Sequence, residues 1–209
     1  MEKRSRVEKA PIEESKEYLK NLVPSLSTIC IIDKQKKQCD VEKKIDSYKN
    51  TDSYIENKPS DCTYECGRLW LLVGENEADM SAITLGQSLN IFNEIKTIVQ
   101  DIYYIDDNVK KILKDVIYPV LKKDYARLIF YEVPIDNYLN TEFINICEMS
   151  GIAKIIYDMS KEYFAEARIA YKTGALYWNY FNSGMDKRAY FHNLKMIADE
   201  RKAKHSITL

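Results

Sequence analysis

Glycine and proline are scarce in this chain, six and five among 209 residues. So few chain breakers argue against a turn-rich β sandwich and for long helices. Histidine is scarcer, with only His192 and His205. Neither belongs to an H-E-x-x-H or Glu-x-x-His pattern, so the usual zinc-protease and di-iron bundle chemistries lack their ligands. The G-x-G-x-x-G and P-loop signatures are missing too, which removes the standard phosphate cradles. Charge is balanced, with 31 basic and 32 acidic residues and a formal net charge of −1. A dedicated nucleic-acid binder needs a basic surplus to displace counterions. The longest apolar runs, such as LWLLV at 69–73, fall far short of the roughly 20 residues of a membrane-spanning helix. The start, MEKRSRVEKAPIEESKEYLK, lacks the apolar centre of a signal peptide, and the end, ADERKAKHSITL, is too charged for a tail anchor. These absences point to a cytoplasmic protein whose five cysteines are reduced thiols.

What is present is enough apolar matter for a core: 45% hydrophobic against 30% charged residues. Residues 1–24 read as a charged N-terminal arm, partly helical from Pro11, and 25–209 as a single domain. The stretch 27–39 is ambiguous between a strand and a buried helical turn. Asp40 can cap a helix with Val41, Ile45 and Tyr48 on one face. Further helices are predicted over 62–73, over 79–105, and from the Asp106-Asp107 cap to about 133, with Pro119 kinking the last. Residues 133–140 read as a loop. The run FINICEMSGIAKIIYDM (143–159) is apolar around most of its circumference, as a central buried helix would be, and continues through YKTGALYWNYF. Asp186 then caps a final helix. The expected fold is all-α, a globular bundle of about seven helices around a central apolar helix.

Chemistry is thin. Cys30, Cys39, Cys62 and Cys66 supply enough thiols for a zinc site, but their spacings are not the C-x2-C knuckles that structural zinc prefers. Cys62 and Cys66, four apart, would share a helical stripe with Leu69 and Val73, which makes them core residues. His192 could pair with a cysteine as a nucleophile and base, yet a surface or capping role accounts for it. Acidic pairs such as Glu13-Glu14 sit where helix starts favour negative charge. No metal, no cofactor and no catalytic residue is expected, and the chain reads as a non-enzyme.

Aromatics are the unusual feature, with 16 tyrosines. Tyr177, Trp178, Tyr180 and Phe181 cannot all face one core from one helix. Together with Trp70 they are the candidate partner-binding residues, because Tyr and Trp bury large rigid area at small entropic cost.

Two family resemblances follow. GRLWLLVG and GALYWNYF share the G-x-x-aromatic feature of a tetratricopeptide first helix, though no period of roughly 34 residues links them. That resemblance implies a helical-repeat adaptor of a cellular complex. The ordered series IDSY (45–48), CGRLW (66–70), LNIFNEI (89–95) and SGIAKI (150–155) resembles the poxvirus Bcl-2-like family over roughly residues 40–200. It implies a Bcl-2-like bundle without enzymatic activity that binds host proteins. Those would be pro-death helices or adaptors of NF-κB and interferon signalling. Lacking an anchor, this chain would be a cytosolic inhibitor of host innate immune signalling or apoptosis, with homodimerisation an open option.

Overall fold

The run LWLLV is not helical. In the computed structural model, which describes residues 10, 12–33, 35–59, 67–77, 79–103, 118–141 and 161–175, it is the middle of a β-strand. Four strands are present among these residues: Ser27–Asp33 (β1), Arg68–Glu75 (β2), Met80–Ser88 (β3) and Arg127–Val133 (β4). They form one antiparallel sheet in the order β1-β4-β2-β3. The helices are Ile12–Leu22 (α1), Gln38–Tyr48 (α2), Asp52–Glu56 (α3), Ile91–Tyr103 (α4), Tyr118–Asp124 (α5), Ile135–Thr141 (α6) and Lys161–Thr173 (α7). The all-α, Bcl-2-like bundle expected from the sequence is therefore corrected to a mixed α/β fold. No helix among the described residues is long and apolar enough to cross a membrane.

Both faces of the sheet are covered, and this explains the misreading. Along β2, Trp70 and Leu72 enter one core while Leu69, Leu71 and Val73 enter the other. A strand buried on two sides has no polar alternation, so it reads as a continuous apolar run. β4 behaves the same way: Leu128 and Phe130 face one core, Ile129, Tyr131 and Val133 the other. The first core is closed by α2 through Val41, Ile45 and Tyr48, and by α4 through Ile91, Ile95, Val99 and Ile102. The second is closed by α1 through Leu19 and Leu22, by α6 through Ile135, Tyr138 and Leu139, and by α7 through Phe164, Ala165, Ile169 and Ala170. Each fully buried Leu or Ile contributes about 1.5–3 kcal/mol from burial alone.

The other expectations divide cleanly. The helix expected over 79–105 is strand β3 followed by α4, and the end of the helix expected to 133 is β4. Residues 133–140, expected to be a loop, hold α6. The helical part of the expected N-terminal arm is α1, packed into the second core. α7 stops at Gly174, whose φ of +60° is left-handed backbone that favours glycine. The proposed central helix at 143–159, the Asp106-Asp107 cap and the final helix after Asp186 lie outside the described residues.

Each edge strand carries a bulge. Ile29 is the extra residue of β1, between Thr28 and Cys30, and Ile83 that of β3, between Ala82 and Thr84. Bulges concentrate at sheet edges, where they bend and twist the strand.

Candidate functional site

Within β4, LIFYEV places one carboxylate in a strand that is otherwise apolar. Glu132 lies on the α2/α4 face, opposite Ser27 of β1 and Trp70 of β2. Its side chain is 1% exposed. Burying a charge is costly unless it is paired and hydrogen-bonded, and Glu132 is both. Arg68 Nη1 donates to Oε1 at 2.6 Å, while the Tyr48 hydroxyl (2.8 Å) and Asn57 Nδ2 (3.3 Å) donate to Oε2. Asn57 also donates to Ser27 Oγ at 3.0 Å. Each member arrives from a different element: the first residue of β2, the last of α2, the segment after α3, the start of β1 and β4 itself.

Arg68 is shared further. It donates to the Tyr54 carbonyl at 2.8 Å, and its guanidinium carbon sits 3.6 Å from the centre of the Tyr54 ring. Tyr54 in turn meets Tyr48 edge-on at 5.9 Å and Phe92 at 5.1 Å. Burial raises the Glu132 carboxyl above its ordinary value, and the Arg68 guanidinium pulls against that shift. The Tyr48 phenol is also pushed up, first by burial and then by the neighbouring Glu132 charge. A tyrosine so placed stays protonated and donates. Every oxygen of Glu132 is thus occupied by a donor within the fold, so the cluster is a closed tie between layers.

A second feature is the contrast between the two sheet edges. On β1 the edge is guarded by charge: Lys36 Nζ donates to the Ile31 carbonyl at 3.4 Å and pairs with Asp33 at 3.3 Å. Lysine at an edge is a common way to discourage further strand pairing. β3, MSAITLGQS, has nine residues with no charge and no proline. No described strand lies beyond it. Gly86 of β3 faces Trp70, and a Cβ there would meet Trp70 Cζ2 at 3.0 Å, Cε2 at 3.2 Å and Glu94 Oε1 at 3.4 Å. The hollow lined by Ile32, Asp33, Lys122, Tyr125, Ala126 and Leu128 measures about 10 Å³, room for no more than about one water.

The residues singled out by sequence are scattered. Trp70 is 3% exposed and tilts against Phe130 at 5.8 Å, so it is a core residue and presents no surface. Tyr177, Trp178, Tyr180 and Phe181 lie outside the described residues, as do His192, His205, Cys62 and Cys66. Of the four thiols weighed for zinc, Cys30 is buried in the α2/α4 core and Cys39 is exposed on α2. Burial pushes the Cys30 thiol up to about 12, which removes it as a thiolate ligand or nucleophile in the folded chain. Among the described residues no group of three or more His, Cys, Asp or Glu could hold a metal ion. Sequence reasoning passed over Glu132 and Arg68, whose only signal was charge at the edge or middle of apolar runs.

Compared with known proteins, the chain matches no protein-family model, no curated protein and no solved structure.

Proposed function

We propose that this chain is a protein-binding module that works by contact, with the edge of β3, the last strand among the described residues, as its docking line. One observation carries the reading: among the described residues β3 is the last strand of the sheet and its nine residues hold no charge and no proline, while a charge pair, Lys16–Asp79, lies only at its start. A strand edge of this composition offers a row of backbone donors and acceptors to an extended segment of a partner. The three-layer packing behind it supplies a rigid frame, so little ordering cost falls on the edge at binding.

This keeps the protein-binding part of what the Bcl-2-like resemblance implied. Of the four motifs that carried that resemblance, CGRLW was expected as helix, and Gly67–Trp70 instead lead into and form strand β2. The same correction applies to the tetratricopeptide resemblance, which required that segment to be helical.

Site-specific photo-crosslinking tests the proposal. A benzoylphenylalanine at Gln87, an exposed position of β3, should crosslink a binding partner in the source cell. The same probe at Lys44, on the exposed side of α2, should not. Equal labelling from both positions, or none from Gln87, would remove β3 as the docking line.

A further inference from the structure

Among the described residues four large hydrophobic side chains are exposed, and two of them, Ile12 (73%) and Tyr171 (44%), belong to the start of α1 and the end of α7. Those two ends are joined. The Ala10 N–H donates to the Tyr171 carbonyl at 3.2 Å, and a Cβ on Gly174 would lie 3.0 Å from Ser15 Oγ. Ile12 shares one side of α1 with Ser15, Leu19 and Leu22, at i, i+3, i+7 and i+10, and the other three are buried. The inward side of α1 thus runs one turn past its cover. The exit from α7 is equally well defined. Gly174 N–H donates to the Tyr171 carbonyl and Ala175 N–H to that of Ala170, both at 3.2 Å, the paired bonds of a Schellman turn. Ala175 is 0% exposed, so the chain leaves α7 against the protein and beside the start of α1.

The next residues in sequence are LYWNYF, 176–181, which lie outside the described residues. Every one but Asn179 is a large apolar or aromatic residue. Ile12 is one helical turn from Ser15, about 5 Å along the axis, and six residues can span up to about 20 Å. Residues 1–9, MEKRSRVEK, also adjoin this junction, but they are mostly charged and hold no aromatic. We propose that Ile12 and Tyr171 form a docking site for the chain's own LYWNYF segment. Area decides for this occupant. Two side chains are far below the roughly 1,000 Å² that a free partner needs, whereas a segment tethered one residue away is held at high effective concentration. The site is separate from the β3 edge, and it engages the aromatic residues at 177–181 within the chain, so they are not offered to a partner.

The test places benzoylphenylalanine at position 12 of the full, purified chain and maps its crosslinks by peptide mass spectrometry. The expected product is a crosslink within one chain to residues 176–181. The same probe at Ile55, also exposed (65%), should not reach that segment. Replacing Tyr177, Trp178, Tyr180 and Phe181 together with Ser keeps the tether and removes the apolar contact. The crosslink yield should then fall about tenfold, the equivalent of burying one apolar side chain. An unchanged yield would show that proximity alone made the crosslink, and would overturn the proposal. Circular dichroism checks that the serine variant folds. If it does not, Ile12→Lys with the probe moved to position 171 reads the site from the other side and must show the same loss. Crosslinks from position 12 to residues 1–9, or no crosslink at all, would also overturn it. So would crosslinked dimers on a gel, which would make a second copy the occupant.

Discussion

Arg68 Nη1 lies 2.6 Å from Glu132 Oε1, joining the first residue of β2 to the last but one of β4. Side-chain exposures of 11% and 1% put this pair inside the protein. A buried pair is weak ground for net stability, yet removing one partner leaves the other charge stranded.

Arg68→Met should therefore destabilise the fold by about 3–5 kcal/mol, measured by urea denaturation. The double replacement Arg68→Met with Glu132→Leu should recover much of that loss, since it strands no charge. A double variant no more stable than the single one would assign the loss to the Tyr48 and Asn57 hydrogen bonds instead.

The raised carboxyl of Glu132 gives stability an unusual pH slope. A group whose folded value lies above its unfolded value contributes stability that is full below the unfolded value, 4.5 for Glu, and is lost as pH rises through the folded value. Asp33 runs the other way: backbone and Lys36 donors hold its carboxyl below the usual 3.8, so its small, solvent-screened share is lost as pH falls. Denaturation of wild type and Glu132→Gln from acid to neutral pH should show that the glutamine variant lacks the decline on the rising side. Parallel curves would remove Glu132 as its source.

Of the two described cysteines, Cys39 should react with a thiol reagent within minutes and Cys30 only on unfolding. Cys30 is 3% exposed with its thiol pushed up to about 12, whereas Cys39 is exposed. Peptide mapping after brief labelling reads both sites separately. Fast labelling of Cys30 in the native chain would show that β1 opens readily.

Gly74→Ala should cost about 1–3 kcal/mol, because the new Cβ would lie 2.6 Å from ring carbons of Tyr125. Adding Tyr125→Ala should make the glycine replacement nearly neutral in a double-mutant cycle read by thermal unfolding. An unchanged penalty would point to the strand backbone at Gly74 and away from the aromatic ring.

Helices α2 and much of α4 were legible because each buries one stripe: Val41, Ile45 and Tyr48 in the first, Ile91, Ile95 and Ile98 in the second. The sheet was not. In a strand apolar on both faces every spacing is populated, so Leu69 and Val73 fit a helical stripe as well as a strand. β3 misled for a different reason. Its bulge at Ile83 breaks the period of two, and Met80 and Ile83, three apart, imitate a helical turn. The Glu132 cluster was hidden by distance along the chain, since Arg68 and Glu132 are 64 residues apart and neither carries a motif.

The double-sided apolar character of β2 and β4 leaves a question of alignment. In an ordinary half-buried strand, sliding by one residue turns every apolar side chain to water, and that penalty fixes the pairing. Here a one-residue slip of β2 against β4 would still leave leucines on both faces, so hydrophobicity alone chooses poorly between the two alignments. The slip would, however, carry Arg68 to the opposite face from Glu132 and set side-chain bulk where Gly74 now admits the Tyr125 ring. The buried ion pair and the glycine thus serve as alignment marks, and a chain lacking them would be expected to pair its central strands in more than one way.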